Sequence, residues 1–364
     1  MQIGICQIAQ SFGYDNITDA QVYDEEIRSG ILADELGYDF ISMVEHHFED
    51  YALCPDNFVY LAHLAAKTKR IKLMTGAVIV PWNTQPLRVA EKAALLDLLC
   101  GGRFMLGLGR GLSRREYAQT GISMDESRGR YDEAVPMILK ALETGVMEAH
   151  HGEFFQQPRA NIRPRPTQTF KGRVAQVAMS GDSVLEAARH GIRMLQFAYK
   201  PIEVHKQEVM TYAAEFRKVH KAAPPIPYFV DFLVCDTNAD RAAEHASKHV
   251  RRYLLSLMHH YEMMGDHFAG VKGYEEYGET AKALQGAGME AVADDYLSSQ
   301  TWGTPTQILE KIQARRAIVG DFDALYCVRY AGTPYAVVER SLRTFAKEVM
   351  PELKRWNIAT TMAA

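Results

Sequence analysis

Four short stretches of the sequence carry residue types that could do chemistry, and the first places a carboxylate beside two imidazoles, Glu45-His46-His47. The stretch follows an apolar segment with the pattern of a strand, so its side chains fall at a strand end. An imidazole exchanges protons near neutral pH, which suits His46 to general acid or base catalysis. A histidine at a strand end can equally be a hydrogen-bonded structural residue, and Glu45 can be a buried partner that orients one ring. Both interpretations stay open on these residues alone.

Two further stretches could bind an anion. Gly107-Leu108-Gly109-Arg110 ends a predicted strand with an arginine, whose planar fork can bond two phosphate oxygens at once. Met179–Ser183, with the sequence MSGDS, is a strand-to-helix junction whose free backbone N–H groups and hydroxyls could hold a dianionic phosphate. Arg110 can also be a solvated surface residue, and the serines at 180 and 183 can be ordinary helix caps.

The fourth stretch, Leu73–Pro81, places the small residues Gly76 and Ala77 near a strand end. Small residues there would let a flat ring approach the backbone. A glycine in a strand more commonly marks a bulge or a bend, so this stretch decides nothing alone.

The elements that must position these stretches alternate between strand and helix through almost the whole chain, which is typical of a parallel α/β architecture. The strand pattern occurs over 2–8, 38–44, 71–79, 103–108, 173–179, 193–197, 227–235 and 322–328. Helical spacing occurs over 19–36, 57–68, 86–100, 125–144, 183–190, 202–220, 239–262 and 335–349. Eight strands predict a closed (β/α)₈ barrel, in which the loops after the strands build the active site. A doubly wound open sheet is the alternative, and the strand count and the absence of an early GxGxxG disfavour it.

Two regions interrupt this alternation, 145–172 and 263–304, and each is too long for a minimal loop in a compact barrel. We interpret both as insertions into a single domain that spans residues 1–364, since barrels of this size are common. The second region bears glycines and lies between the seventh and eighth units, which makes it a candidate lid. The alternative for either region is a surface excursion.

Composition excludes several classes of function. A net charge of −4 gives no broad positive field, so nucleic acid is not expected as a partner. The first residues lack a signal-peptide pattern and no apolar run is long enough to span a bilayer, so we expect a cytoplasmic protein without a membrane partner. The five cysteines are scattered singly, which indicates free thiols. Adjacent histidine pairs cannot easily share one metal from a strand, so no metal site is expected.

Taken together, in order and spacing, these stretches resemble the bacterial luciferase-like flavin monooxygenases. The resemblance covers nearly the whole chain. It includes EHHF after the second strand, TGAVIVP followed by QPLRVAEKAALLDLLCGGRFMLGLGRG, and the SGDS junction. It continues with WGTP before a helix and with AGTPYAVVERSLRTFAKEVMPEL near the end. The part from Thr75 to Gly111 is the most specific to that family.

The resemblance implies an enzyme that uses reduced flavin mononucleotide (FMN) and O₂ to oxygenate a hydrophobic or aromatic organic substrate through a hydroperoxyflavin. His46 aligns with the active-site histidine of the family, with Glu45 as its supporting carboxylate. Gly76-Ala77 falls where the family has a cis peptide that supports the flavin ring, and Arg110 matches the phosphate-binding arginine. The segment that wraps the FMN phosphate corresponds to Met179, Ser180, Gly181 and Ser183.

The resemblance also implies partners. No nicotinamide fingerprint opens the chain, so reduced flavin would come from a separate NAD(P)H-dependent flavin reductase. A homodimer is expected through helices 57–68 and 86–100. The residues we expect on that interface are Leu61, Leu64, Ala65, Ala90, Ala94 and Leu95. Gly109 stands where the light-emitting members have a reactive cysteine, which argues against light emission.

Two other functions stay open: a deazaflavin-dependent oxidoreductase of the same superfamily, and a non-catalytic flavin-binding protein. The EHHF and GGRFMLGLGRG contexts favour FMN over a deazaflavin, and retention of His46 argues mildly against a protein without catalysis. The substrate itself cannot be predicted, although an apolar pocket could be lined by Met105, Tyr199, Trp302 and Tyr330.

Overall fold

Eight parallel strands form a closed barrel in the computed structural model, which describes residues 1–83, 85–268, 270–286, 288–359 and 361–362. The barrel strands are β1 (Ile3–Gln7), β2 (Phe40–Met43), β3 (Lys72–Thr75), β4 (Phe104–Gly109), β5 (Val174–Val177), β6 (Arg193–Phe197), β7 (Tyr228–Cys235) and β8 (Asp323–Cys327). Each strand pairs in parallel with the next along the chain, β8 pairs with β1, and the pairing of β4 with β5 closes the ring. The predicted barrel is therefore confirmed.

Helices surround the barrel, and the eight predicted ones are all present. The helices are α1 (Asp19–Leu36), α2 (Asn57–Lys67), α3 (Pro86–Leu99), α4 (Arg114–Thr120), α5 (Ser127–Thr144), α6 (Gly181–Arg189), α7 (Ile202–His220), α8 (Ala239–His260), α9 (Glu275–Gly286), α10 (Met289–Ser299), α11 (Pro305–Val319), α12 (Tyr335–Glu348) and α13 (Met350–Arg355). The helix that the resemblance places after WGTP is α11.

Local capping explains where several helices begin. Asp56 accepts hydrogen bonds from the first backbone N–H groups of α2, and Asn238 does the same for α8. Gly37 ends α1 in the left-handed conformation, where a residue without Cβ avoids a steric penalty. These caps turn the chain sharply between strand and helix, so the carboxyl ends of the strands meet on one face of the barrel.

The predicted strand 71–79 is divided in two. The Gly76–Ala77 peptide bond is cis, as the resemblance implies, and it separates β3 from a two-residue strand, Val78–Ile79, that pairs with β4. Gly107 on β4 lies directly against this break: its N–H donates to Thr75 Oγ1 at 2.8 Å. A Cβ added at Gly107 would stand 1.9 Å from the Thr75 carbonyl oxygen, so this contact needs a glycine.

The two predicted insertions have secondary structure of their own. Region 145–172 contains two small antiparallel pairs, Val146–Met147 with Ala160–Asn161 and His150–His151 with Gln156–Gln157. It connects α5 to the amino end of β5, on the side of the barrel opposite the carboxyl ends. Region 263–304 contains α9, α10 and a strand, Thr301–Gly303, that extends the sheet beside β7.

Residues 269 and 287, within the second insertion, lie outside the described residues. The assignment of the whole chain to one domain stays a prediction. Within the described ranges, no helix combines the length and the apolar character needed to cross a bilayer. All five cysteines are free and buried.

Candidate active site

A cavity of about 1260 Å³ opens at the carboxyl ends of the barrel strands. The predicted site residues that line it are Glu45, His46, Gly76, Ala77, Arg110, Met179 and Ser183. Ser180 and Gly181 begin α6 directly beside this lining. The topology explains the convergence, because parallel strands deliver their carboxyl ends to one face of a barrel.

His46 lies in the loop after β2, and its side chain is 15% exposed. Its Nδ1 is 3.0 Å from Glu116 Oε1, and its Nε2 is 3.3 Å from the Tyr261 hydroxyl. Glu116 is buried on α4, which begins just after Arg110. An ionised carboxylate at this place accepts from the Nδ1–H of the ring and leaves Nε2 on the side of Tyr261 and the cavity.

The expectation that Glu45 supports His46 is wrong. The Glu45 carboxylate accepts hydrogen bonds from Trp82 Nε1 at 2.7 Å and from the Ile79 N–H at 3.2 Å. The ring nearest to it is that of His47, whose Nε2 lies 3.5 Å away. Neighbouring residues in extended backbone point to opposite sides, so Glu45 cannot readily reach the ring that follows it. The carboxylate that holds His46 is Glu116.

Glu45 instead binds two residues of the segment after the cis peptide bond, Ile79 and Trp82. Burial lowers the pKa of His47, but hydrogen bonding and charge from Glu45 outweigh burial and raise it above its ordinary value. His47 also donates its backbone N–H to Glu116 Oε1 at 2.7 Å, which fixes that carboxylate. The dipeptide His46-His47 is thus held by two different carboxylates on two sides.

A second histidine completes the group around Glu116. His260, the last residue of α8, is buried, and its Nε2 lies 3.8 Å from Glu116 Oε2. Its ring stacks on that of Tyr51, with centroids 4.3 Å apart, and its Nδ1 is 2.9 Å from Glu49 Oε2. Burial raises the pKa of Glu116, yet the two imidazoles hold it well below its ordinary value.

The donor atoms of His46, Glu116 and His260 lie within 4.8 Å of one another, which is close enough for a metal ion. His46 and Glu116 already bond each other directly, and Glu116 accepts a backbone N–H as well. We therefore interpret His46 and Glu116 as a hydrogen-bonded pair, with His260 lying 3.8 Å from the second oxygen of Glu116. The sequence analysis missed Glu116 and His260, because they lie 70 and 214 residues from His46 in the chain and no local motif joins them.

Ser180 and Ser183 form the cap of α6. The Ser180 N–H donates to Ser183 Oγ at 2.9 Å, and the Ser183 N–H points back to Ser180 Oγ at 3.4 Å. The interpretation of these serines as helix caps is thus confirmed. The Gly181 N–H is directed outward and bonds both oxygens of the Glu276 carboxylate, at 2.9 and 3.1 Å. An anionic group therefore occupies the start of this helix, in keeping with the helix dipole.

Arg110 contacts the segment that also contains Glu276. We call this segment, Gly273–Tyr277, the covering segment. Its Nη2 donates to the Gly273 carbonyl at 2.6 Å, and its guanidinium carbon lies 4.1 Å from the centroid of the Tyr274 ring. Its Nη1 is buried and has no hydrogen-bond partner among the described residues. The structure thus brings Arg110 and the start of α6 under one segment of the second insertion.

A second arginine, Arg128 on α5, lies beside this place and was not predicted. It forms ion pairs with Glu186 and, at 3.5 Å, with Asp182. Burial lowers the pKa of Arg128, and the charge of the nearby Arg110 lowers it further. Two guanidiniums close enough to disfavour each other favour an anion between them. Arginines of this kind give no sequence signal, since Arg128 is one of many charged residues on an ordinary helix.

The wall between His46 and Arg110 is built by the cis Gly76–Ala77 bond. Asn57 donates to the carbonyls of Met43 and Ala77, at 3.2 and 3.1 Å, and so fixes the backbone on either side. A Cβ at Gly109 would lie 3.2 Å from Ala77 Cβ, so this position is tightly filled.

The rest of the cavity is lined largely by apolar and aromatic residues. Tyr199 alone, of the four side chains suggested for a substrate pocket, lines it. Tyr330 and Met105 are buried in the core, and Trp302 packs against α8 and α10, where it donates to the Leu297 carbonyl at 2.9 Å. The other apolar lining residues include Leu254, Leu257, Met258 and Met263, from α8 and the segment after it.

Comparisons with known proteins agree on one family. The family model described as luciferase-like monooxygenase matches residues 1–321. The alkanal monooxygenase alpha chain of Photobacterium leiognathi is 26% identical over 340 residues, covering 92% of this chain and 94% of that protein. The oxygenase component of the flavin-dependent trigonelline monooxygenase of Acinetobacter baylyi is 39% identical over 157 residues, which cover 42% of each chain.

Three solved structures share the fold over nearly the whole chain. The monooxygenase RslO1 of Streptomyces bottropensis has a TM-score of 0.78 at 25% identity and covers 97% of this chain and 100% of its own. The oxygenating constituent of 3,6-diketocamphane monooxygenase of Pseudomonas putida, in complex with FMN, has a TM-score of 0.76 at 19% identity, covering 97% and 98%. An F420-dependent secondary alcohol dehydrogenase has a TM-score of 0.71 at 15% identity, covering 96% and 98%.

Proposed function

Since the chain belongs to the luciferase-like monooxygenase family, we propose that it is the oxygenase component of a two-component flavin-dependent monooxygenase. It would take reduced FMN and O₂ and add one oxygen atom to a hydrophobic or aromatic compound. The observation that carries the proposal is one cavity lined both by Arg110, which has a buried nitrogen without a hydrogen-bond partner among the described residues, and by the carboxylate-held imidazole of His46. In the strand order of the barrel, the Gly76–Ala77 loop lies between the loops that carry His46 and Arg110, so a phosphate and a reacting ring would have separate places.

The residues present fit the phosphate of FMN. Arg110 has a buried guanidinium nitrogen still to be satisfied, and leaving such a group unpaired is costly. The Gly181 N–H already holds a carboxylate, which is the nearest protein equivalent of a phosphate oxygen pair. Arg128 adds positive charge on the same side. The cis Gly76–Ala77 bond would then support the flat ring, with Met179 beside it.

Bound reduced FMN would supply two electrons to O₂, so that one oxygen enters the substrate and the other leaves as water. The protein's part is to hold the phosphate, exclude water and manage protons. His46 is placed for the last task, since Glu116 holds Nδ1 while Nε2 faces the cavity side. The apolar side chains of α8 would hold the organic substrate against the ring.

A separate flavin reductase would deliver the cofactor. The relative from Acinetobacter baylyi is named as an oxygenase component, and the protein from Pseudomonas putida as an oxygenating constituent. Both names describe one part of a larger system. We extend that arrangement to this chain.

The rival cofactor is the deazaflavin F420, which a structurally similar dehydrogenase uses. The more similar relatives are named as monooxygenases, and the His46–Glu116 pair would supply the proton handling that oxygen reduction requires. Titration with FMN and with F420, each followed by fluorescence, separates the two. Tighter binding of F420 would favour the dehydrogenase.

One experiment tests the roles of the two ends of the cavity. In Arg110→Ala, affinity for FMN should fall about tenfold or more, since a charge-assisted hydrogen bond contributes about 1.5–3 kcal/mol. Affinity for riboflavin, which has no phosphate, should change little. Arg114→Ala is the control, because Arg114 begins α4 just after that loop and pairs with Glu262 at the surface. Equal losses for both ligands would contradict the phosphate assignment.

In His46→Ala, FMN affinity should change little, while product formation falls and hydrogen peroxide release rises. Removal of a general acid or base typically costs about a hundredfold in rate. A purely structural histidine would instead give a lower melting temperature with a normal ratio of peroxide to product. That result would remove His46 from the mechanism.

We further propose a homodimer through α2 and α3, but with different contacts from those expected. Five of the six residues chosen from the sequence face the barrel and are buried: Leu61, Leu64, Ala65, Ala90 and Ala94. Leu95 is exposed, and with it Val59, Leu98 and Leu99, the last at 61%. Exposed apolar residues grouped on two adjacent helices are typical of a protein interface.

A further inference from the structure

Four titratable side chains from different parts of the sequence connect the cavity to the protein surface. His46 and Glu116 both line the cavity, Glu116 and His260 are buried, and Glu49 is partly exposed, at 23% of its side chain. Glu49 follows His46 by three residues in the loop after β2, whereas Glu116 lies on α4 and His260 at the end of α8. The fold, and not a sequence motif, places them in line.

The two inner groups, Glu116 and His260, each face two neighbours through different atoms. His46 offers Nδ1 to Glu116 Oε1 at 3.0 Å, and Glu116 offers Oε2 to His260 Nε2 at 3.8 Å. His260 offers its other nitrogen, Nδ1, to Glu49 Oε2 at 2.9 Å. A proton can therefore arrive on one atom of each group and leave from another. Rotation of the rings and carboxyl groups then returns this series of groups to its starting protonation pattern after each proton transfer.

The contact between His260 and Glu116 is the long one. Its length exceeds the upper hydrogen-bond limit by about 0.6 Å. Both atoms are buried, and neither has another hydrogen-bond partner in the part of the chain that the structure describes. Buried polar atoms left unpaired are destabilising, so a small torsional change that joins them is favourable. A small movement of the two side chains would therefore form a hydrogen bond between His260 and Glu116.

Neighbouring side chains fix the positions of these four titratable groups. The Tyr51 ring stacks on His260, and the Tyr261 hydroxyl lies 3.3 Å from His46 Nε2. At the outer end, Arg115 forms an ion pair with Glu49 and lies 3.3 Å from His259 Nε2. Burial raises the pKa of Glu49, but Arg115 and His260 lower it overall.

Burial raises the pKa of the Glu116 carboxyl, but the imidazoles beside it hold that pKa well below its ordinary value. Two imidazoles flank it, so one proton can be held on either side of the same carboxylate. His47 contributes only its backbone N–H here, because its ring faces Glu45.

We propose that Glu49, His260 and Glu116 form a relay through which His46 exchanges its proton with solvent. This inference rests on the proposed function. Reaction of the reduced flavin monoanion, O₂ and substrate to give oxidised flavin, oxygenated product and water takes up one proton. The relay supplies that proton without opening the cavity to water, so the three residues act through His46.

The first test uses reduced FMN and O₂ without an organic substrate, a reaction that also consumes one proton when it yields oxidised flavin and hydrogen peroxide. The protein loaded with reduced FMN is mixed with oxygenated buffer, and flavin oxidation is followed by absorbance. In His260→Gln and Glu49→Gln we expect oxidation about tenfold slower or more. The solvent deuterium isotope effect should increase as well.

His249→Gln is the matched control. His249 is a buried histidine on the same helix, bonded through Nδ1 to the Ala331 carbonyl at 2.9 Å, and it is remote from the relay. Its variant should oxidise flavin at the wild-type rate. Melting temperatures are measured for all three variants, and if His260→Gln fails to fold, the partly exposed Glu49→Gln decides alone.

A second measurement needs no flavin. Ring-nitrogen NMR signals of the flavin-free protein report where protons sit on each histidine. Glu49 contacts His260 but not His46 directly, so in Glu49→Gln a continuous relay should change the signals of His46 too, as the shared proton moves inward. Unchanged His46 signals, or wild-type oxidation rates in both relay variants, would overturn the relay. If the wild-type protein binds no reduced FMN, the proposed function fails first and the relay fails with it.

Discussion

Replacing Glu276 with glutamine tests whether the covering segment competes with the flavin phosphate for the start of α6. The Glu276 carboxylate takes the Gly181 N–H with both oxygens, and a phosphate bound at the same N–H would have to displace it. Glutamine keeps the size of the side chain and removes its charge. The variant should therefore bind FMN more tightly than the wild-type protein.

The magnitude follows from the geometry. The interaction of an anion with a helix N-terminus is favourable by about 0.3–1 kcal/mol at the protein surface. Glu276 is exposed, so its interaction with the start of α6 falls in this range. Loss of about 1 kcal/mol of competition raises FMN affinity about fivefold. Riboflavin has no phosphate and should bind as before. The expected signature is a change in the ratio of the two affinities.

The assay is a fluorescence or calorimetric titration of each variant with FMN and with riboflavin at fixed ionic strength. Glu279→Gln is the control, because Glu279 is an exposed carboxylate one helical turn further along α9. It changes the net charge by the same amount at a similar place. If Glu276→Gln and Glu279→Gln give the same ratio as the wild-type protein, the reasoning about competition is wrong.

Three further predictions concern assembly and stability. Leu99→Asp should shift the protein to a monomer in sedimentation at micromolar concentration with an unchanged melting temperature, and a dimeric variant would contradict the proposed interface. Gly107→Ala, whose Cβ would meet the Thr75 carbonyl, should lower the free energy of unfolding by about 3 kcal/mol, whereas Gly286→Ala, with open space around it, should change it by less than about 0.5 kcal/mol. Burial raises the pKa of Asp236, but two arginine partners lower it to about 2. Because the pKa of Asp236 is depressed in the folded state, the ionised carboxylate stabilises the protein fully above the ordinary pKa of an aspartate. Chemical denaturation should show a loss of about 2 kcal/mol in the free energy of unfolding as the pH falls from about 4 to 2. The Asp236→Asn variant should lack this pH dependence.

The strands were predictable because each is a short apolar run buried on both sides of a parallel barrel, a pattern that few other structures share. The break at Gly76 interrupted one of these runs without changing its composition, so apolar pattern alone gave one strand where there are two. Helices α9 and α10 escaped the sequence analysis because their segment reads as a glycine-bearing loop, and they form where that segment packs over the barrel.

The positions of Arg110 and Gly181 near each other were largely predictable, since each ends or follows a strand on the face where a barrel gathers its loops. The partner of His46 was not. Sequence adjacency suggested Glu45, but extended backbone turned that side chain toward Trp82. Glu116 reached His46 through the packing of α4 against the loop after β2, a contact that depends on tertiary structure alone.

The burial of every cysteine has a practical consequence for labelling. Maleimide and related reagents need an accessible thiolate, and burial raises the pKa of the Cys54 and Cys235 thiols to about 12. A single cysteine introduced at an exposed position such as Glu279 on α9 would therefore be the fast-reacting thiol of the protein, without removal of the native ones. A fluorophore attached there would report the position of the covering segment while flavin is titrated.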